Sequence, residues 1–293
     1  FQAEDGIRDS VASRGLGDVY KRQADSLAIL KLIAIQSSDH LESEIIRAQV
    51  SLLVGNKKTR DILPDDPSNS VKSFVEYSDI INNKDILRNK TFEKFNISNL
   101  GQFRNTPASN VWAAHPNRTS SKSSLLAADP HNSLTAPGYW SLARLELKNG
   151  GIIGATIPGI PLIMSGRSKY LAWGFSAGNG DDTDIYIEQL NPLDETQYND
   201  GNNFVSFDTK KEIIKIYGSK SRTIDLLWAN NRPVLPNNFF NIRQIMPQNK
   251  VASIKSTALD TFDKSYSSLF NMTTQTNIKS AQSQFNDYVT PIY

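Results

Sequence analysis

The sequence predicts an α+β fold, and three observations lead there. Apolar residues recur at helical spacing over residues 24–54, short apolar runs bounded by turn residues fill 109–228, and helical spacing returns only near 259–270 and 277–288. Strands followed by helices, without strict alternation, indicate layered sheets and helices rather than a parallel doubly wound sheet.

The first helical stretch contains Leu27, Leu30, Leu32, Ile33 and Ile35, and the second Leu41, Ile45, Ile46, Val50, Leu52 and Leu53. Ser38, Asp39 and Glu42 between and after them suit a helix start, so helices are expected over 24–37 and 40–54, ending near Gly55. From 56 to 108 Lys, Asn, Asp, Ser and Pro dominate, and Pro64-Asp65-Asp66-Pro67 breaks any regular element. This stretch reads as a surface connector with short helices over 71–77 and 80–87. Strands are then expected over 111–114, 124–128, 139–147, 152–157, 162–165, 171–176, 184–190, 204–207, 212–217 and 223–228. Asn149-Gly150-Gly151 marks a hairpin turn between two of them.

Composition excludes several functions. The chain has 293 residues, and Lys+Arg 32 against Asp+Glu 30 leaves a net charge of +2. That balance speaks against a nucleic-acid partner, whose binding needs many neutralised phosphates. Cysteine is absent, which removes disulfides, thiolate metal sites and a cysteine nucleophile. The three histidines are His40, His115 and His131, with no HxxxH pair. No run approaches the ~20 apolar residues of a membrane span, so no membrane partner is expected. Gly-rich phosphate cradles are missing as well.

The two ends read differently from the body. Residues 1–23 lack any sustained apolar period and resemble a translated sequencing-library adapter, a non-native tail to be left out of fold reasoning. At the other end an amphipathic stretch runs into Thr290-Pro291-Ile292-Tyr293, as though entering a strand. A fragment is expected. The organisation is therefore a tail over 1–23, a helical region over 24–64, a linker over 65–108 and a strand-rich domain over 109–293.

Ser109 stands where polar connector meets strand, in Thr106-Pro107-Ala108-Ser109-Asn110-Val111-Trp112. Taken alone it is a serine that ends a loop. Downstream come Leu125-Leu126-Ala127-Ala128-Asp129-Pro130-His131, Gly154-Ala155-Thr156-Ile157-Pro158-Gly159, Ala172-Trp173-Gly174-Phe175-Ser176 and Asp181-Asp182-Thr183-Asp184-Ile185-Tyr186-Ile187-Glu188. In that order these motifs resemble the penicillin acylase family of N-terminal-nucleophile hydrolases, densely over 109–190 and more loosely over 191–293. Upstream, Asp25-Ser26-Leu27-Ala28 and Glu44-Ile45-Ile46-Arg47 are similar to the end of that family's α-chain.

The resemblance implies an αββα-layered fold, incomplete here, and an amidohydrolase acting on an N-acylated small molecule. It implies that a precursor cuts itself between Ala108 and Ser109, so that Ser109 becomes the first residue of a β-chain paired with the α-chain as a heterodimer. The connector over 65–108 would then be spacer peptide. The family has Gly where Ala108 stands, a departure that implies slower cutting. An N-terminal serine carries nucleophile and base on one residue, because its α-amino group titrates near ~7.7–8.0 and accepts the hydroxyl proton. The resemblance further implies oxyanion donation by the Ala177 backbone N–H and by an asparagine that would follow Tyr293, which would leave this piece inactive as it stands.

By the same resemblance His131 helps orient the liberated amine, although on the residues alone it reads equally as a histidine satisfying loop backbone. Asn132, Met164 and Ser165 match acyl-pocket positions, where Met164 could equally be core filler. Asn132 and Ser165 stand where phenylacetyl-selective members often carry aromatic residues. Asp181, Asp182 and Asp184 crowd one turn; on spacing alone this is a solvated acidic loop or part of a calcium site. The resemblance implies a structural Ca²⁺ on Asp181, the Thr183 carbonyl and Asp184, and a periplasmic location. Asn230-Asn231-Arg232-Pro233-Val234 departs from the family's His-Gly before Pro-Val. A different class of function is a non-catalytic relative, never cut at Ala108, that keeps the scaffold for ligand binding.

Overall fold

The computed structural model describes residues 23–37, 40–63, 77–81, 108–132, 136, 138–148, 150–176, 178 and 180–291. Residues 1–22 of the tail expected over 1–23, most of the linker and Ala177 lie outside these residues. The chain divides into two compact units, one drawn from Phe1–Ser37, Pro107–Gly180 and Asp260–Tyr293, the other from Ser38–Thr106 and Asp181–Leu259.

The two periodic stretches at the start form helices α1 (Gln23–Ser37) and α2 (His40–Val54). Gly55 follows α2 with φ at +78°, a left-handed conformation that glycine adopts without strain. Helix α3 (Asn56–Ile62) and the single turn α4 (Tyr77–Ile80) then occupy parts of the stretch read as connector. The remaining elements are β1 (Ala108–Ala114), β2 (Leu125–His131), β3 (Ser141–Leu145), β4 (Ile152–Thr156), β5 (Ser165–Arg167) and β6 (Ala172–Trp173). They continue with β7 (Thr183–Asn191), β8 (Asp194–Asn199), β9 (Phe204–Ser206), β10 (Asp208–Ile214), β11 (Arg222–Ala229), β12 (Arg232–Pro233) and β13 (Lys250–Ser256). Helices α5 (Ser265–Thr273) and α6 (Ile278–Ser283) close the series.

In the first unit β1 and β2 form an antiparallel ribbon, and β3-β4-β5-β6 a four-stranded antiparallel sheet. The strand expected over 162–165 begins only at Ser165. Leu162, Ile163 and Met164 are instead buried outside any ladder, 2–4% exposed. An unbroken apolar run signals burial on all sides, and burial here comes from helices rather than from strand pairing. Leu30 and Ile33 of α1, Leu269 of α5, and Ile157, Ile160, Leu162 and Met164 make one core. Truncating Leu269, 1% exposed, to alanine would cost about 2–5 kcal/mol through lost contacts and the cavity left behind.

In the second unit β13-β7-β8-β9 form one antiparallel sheet and β10-β11-β12 another. The core against β7 and β13 comprises Ile45, Leu52, Ile81, Ile242, Ile245, Met246 and Ala252. Its content corrects the connector reading in part. Ile81 is 3% exposed, and the Tyr77 hydroxyl donates to the Ile245 carbonyl at 2.7 Å. Thr59 in α3 is fully buried and donates to the Gly55 carbonyl at 2.9 Å. Sparse apolar residues hid these anchors, since each is a single contact carried by an otherwise polar segment.

Asn230 and Asn231 form a turn within the stretch that departs from the family pattern. Both residues have positive φ, 48° and 64°, and they join β11 to β12 as a two-residue hairpin turn. That geometry favours Asn or Gly, and the twist it imposes matches paired strands. No helix among the described residues is long and apolar enough to cross a membrane.

Candidate active site

The β1–β2 ribbon positions Ser109. The register sets Ala108 opposite His131, Ser109 opposite Pro130, Asn110 opposite Asp129 and Val111 opposite Ala128. Side chains alternate across a ribbon, so Ser109, Val111 and Ala128 share one face, and Asn110, Asp129 and His131 share the other.

The Ser109 face approaches the stretch that follows β6. A Cβ built on Gly174 would lie 2.7 Å from the Ala128 Cβ and 3.4 Å from Val111 Cγ1, so only glycine admits the ribbon at this distance. Trp173, 7% exposed, fixes that stretch from below: its indole N–H donates to the Ile163 carbonyl at 3.1 Å. Two residues beyond Gly174, the Ser176 hydroxyl meets Ser109. The Oγ atoms are 3.1 Å apart, and Ser176 Oγ donates to the Ser109 carbonyl oxygen at 3.3 Å. Sequence reasoning did not assign Ser176 a part. Its place one residue before Ala177 was the available signal.

The other face carries the histidine. His131 Nε2 lies 3.0 Å from Asp129 Oδ2 and 3.3 Å from Asn110 Nδ2, all on exposed side chains. The ring is thus directed to its own face of the ribbon, away from the Ser109 hydroxyl. The candidate pocket residues separate in the same way. Met164 lies in the core with Leu162 and Leu269, 2% exposed. Trp140 Nε1 donates to Asn132 Oδ1 at 2.8 Å. Ser165 Oγ donates to the Trp173 carbonyl at 3.4 Å and lies 3.5 Å from a Cβ placed on Gly174, which sets Ser165 beside the Ser109 face. Ala177, the expected oxyanion donor, is outside the described residues.

In the second unit the acidic turn gathers around Glu44 of α2. Glu44 Oε2 accepts from the Ile185 backbone N–H at 2.8 Å. Burial pushes the Glu44 carboxyl up to about 7; that hydrogen bond pulls it down, and the charges of Asp184 and Asp181 push it further up. Asp184 is raised by burial and then by Asp181, against a lowering by Lys255. Thr183 Oγ1 bonds Asp182 Oδ1 and Ser256 Oγ, both at 3.0 Å, which fixes the start of β7. Carboxylate oxygens are the donors that a hard cation such as Ca²⁺ takes. Among the described residues no three histidine, aspartate or glutamate side chains stand close enough together to hold a metal as they are. The approach of Glu44 to this turn was not foreseen, because it follows from packing between elements about 140 residues apart in sequence.

A family model described as penicillin amidase matches residues 19–293. Among curated proteins the chain is similar to "Acyl-homoserine lactone acylase QuiP" of Pseudomonas fluorescens strain Pf0-1, 27% identical over 197 residues, which are 65% of this chain and 24% of that protein. It is similar to "Penicillin acylase 2 proenzyme" of Pseudomonas sp. strain SE83, 29% identical over 128 residues, 43% of this chain and 16% of that one. It is also similar to "Penicillin G acylase" of Escherichia coli, 25% identical over 174 residues, 59% of this chain and 19% of that one. The chain spans about a quarter or less of the length of these relatives. Among solved structures, thermostable penicillin G acylase from Alcaligenes faecalis superposes with a TM-score of 0.52 at 24% identity, covering 61% of this chain and 31% of that one. That likeness bears out the α+β fold class.

Proposed function

Since the chain belongs to the penicillin amidase family, we propose that it is part of an acylase that hydrolyses the amide of an N-acylated small molecule with Ser109 as nucleophile. The observation that carries this reading is the placement of Ser109 at the head of β1, directly after the Ala108–Ser109 bond, with its side chain held by Ser176.

The chemistry begins with self-cleavage. Ser109 Oγ adds to the Ala108 carbonyl carbon, the C–N bond breaks, and the departing nitrogen takes a proton to become an amine. Water then hydrolyses the resulting ester, releasing the Ala108 carboxylate and restoring the hydroxyl. The new α-amino group, near ~7.7–8.0, is substantially neutral at working pH and accepts the hydroxyl proton in the next reaction. Ser109 then attacks the substrate carbonyl, the leaving amine takes that proton, and an acyl-enzyme forms. A second water releases the acid. No histidine–carboxylate relay is needed, which agrees with a His131 ring directed at Asp129 rather than at Ser109. The Ala177 N–H is the proposed oxyanion donor; loss of one such donor costs about 10²–10³ in rate.

The substrates in the names of the relatives, acyl-homoserine lactones and penicillins, define the proposed class: a small polar head joined by an amide to an acyl group. Of the three candidate pocket residues, Ser165 beside the Ser109 face is the proposed pocket residue, and Met164 is core filler. The mature protein is proposed to be an α/β heterodimer in the periplasm. A structural Ca²⁺ is proposed on Asp181, Asp184 and the Thr183 carbonyl. Support comes from the mutual repulsion of these carboxylates, which the ion would neutralise while taking no part in the acyl transfer.

The test uses the uninterrupted precursor on a denaturing gel. Two chains are expected, the larger starting Ser109-Asn110-Val111-Trp112 on N-terminal sequencing, with Ser109→Ala leaving one chain. Amide hydrolysis by the Ser109→Ala precursor would overturn the reading. A single uncut wild-type chain that binds N-acyl amides without hydrolysing them would favour the ligand-binding alternative.

A further inference from the structure

We propose that Ser176 is a positioning residue for self-cleavage, holding the Ser109 hydroxyl in the rotamer from which it attacks; this rests on the reading of Ser109 as nucleophile.

Ser176 touches Ser109 at two atoms. Ser176 Oγ lies 3.3 Å from the Ser109 carbonyl oxygen, to which it donates, and 3.1 Å from Ser109 Oγ. A hydroxyl has a single hydrogen and two acceptor lone pairs. Whether that hydrogen is directed to the carbonyl or to Ser109 Oγ, Ser176 Oγ stays within hydrogen-bond distance of both atoms of Ser109. One side chain thereby grips Ser109 at two atoms, one on the side chain and one on the backbone. Together they set the single torsion, χ1, that determines where the Ser109 oxygen sits.

The grip is built on fixed ground. Trp173 is buried and bonded to the Ile163 carbonyl, Gly174 lets the ribbon approach, and Ser176 follows two residues later. Both serines are half-buried, and 67 residues of chain separate them. Ser176 cannot serve as the base. A neutral serine hydroxyl is too weak a base to take the Ser109 proton, so the pair is a clamp and not a relay. Misplacing a reacting atom by about 1 Å costs as much as 10²-fold in rate, which is the scale of effect that a lost clamp should show.

The experiment follows cleavage of the uninterrupted precursor over time for Ser176→Thr, Ser176→Val and Ser109→Ala. Thr and Val share a shape, so any packing defect appears in both, and their difference isolates the hydroxyl. Thr is expected to cut within about threefold of wild type, and Val at least about 10-fold more slowly. Should Val fail to fold, Ser176→Ala removes the hydroxyl without added bulk and is expected to show the same slowing. Val or Ala cutting as fast as wild type, or Thr and Val slowing equally, overturns the proposal while leaving Ser109 in its role. Cutting of the Ser109→Ala precursor would instead remove the reading on which the proposal rests.

Discussion

Glu44 reaches from α2 to β7 and accepts a hydrogen bond from the backbone N–H of Ile185 at 2.8 Å, so a carboxyl is tied to a strand beside two aspartates. Its pKa rises from 4.5 to about 7, chiefly through burial. Between these values the folded protein keeps a proton that the unfolded chain has lost. Stability from this group is therefore full below about 4.5 and declines as pH rises through about 7. Urea midpoints measured from pH 5.5 to 8 without divalent cations should fall for wild type relative to Glu44→Gln. Parallel curves would show that the carboxyl does not titrate there. Adding Ca²⁺ at pH 8 should raise the wild-type midpoint more than that of the variant.

A second prediction concerns Glu188 and Arg232. Arg232 Nη2 donates to Glu188 Oε1 at 2.7 Å, its Nε donates to Ser253 Oγ at 3.1 Å, and its guanidinium stacks 4.5 Å from the centre of the Tyr186 ring. Glu188 is 6% exposed. Arg232→Ala would strand a buried carboxylate and is expected to cost about 3–5 kcal/mol. The double change Arg232→Met with Glu188→Met should cost much less, because neither charge is then left alone. Chemical denaturation of both variants checks the order.

Gly174 supplies a third. A methyl group there would meet the Ala128 Cβ at 2.7 Å and push away the ribbon that carries Ser109. Gly174→Ala should slow self-cleavage by about 10-fold or more, while Gly138→Ala, whose Cβ would meet nothing closer than 3.9 Å, should leave it unchanged. Gel time courses of the two precursors decide this, and equal rates would contradict it.

The fourth concerns the small chain. Tyr77 and Ile81 belong to the core with Ile45 and Ile245, so removing them after self-cleavage would open that core. Mass spectrometry of the mature small chain should place its C-terminus beyond Ile81. A terminus before Tyr77 would show that these residues are dispensable.

Much of this protein was readable from local rules. The spacing of apolar residues located α1 and α2 almost to the residue, and the Gly-Gly turn located the β3–β4 hairpin. The ordered motifs from Ser109 to Glu188 carried the family, because each is a short string whose meaning needs no knowledge of its neighbours. Strands β8 and β13 were not foreseen. Strand β8 reads Asp-Glu-Thr-Gln-Tyr-Asn with only Tyr198 buried, and β13 buries small residues, Ala252 and Ser253, beside Ile254. Their identity comes from partners, β13 pairing with β7 across some sixty residues. The same holds for the contacts that matter most: Ser176 on Ser109, Glu44 on Ile185, Arg232 on Glu188. Periodicity and turn chemistry act over a few residues and can be read along the chain. Which polar side chain meets which is settled only when distant segments pack, since burying an unpaired polar group is costly and the folded arrangement is the one that supplies it a partner.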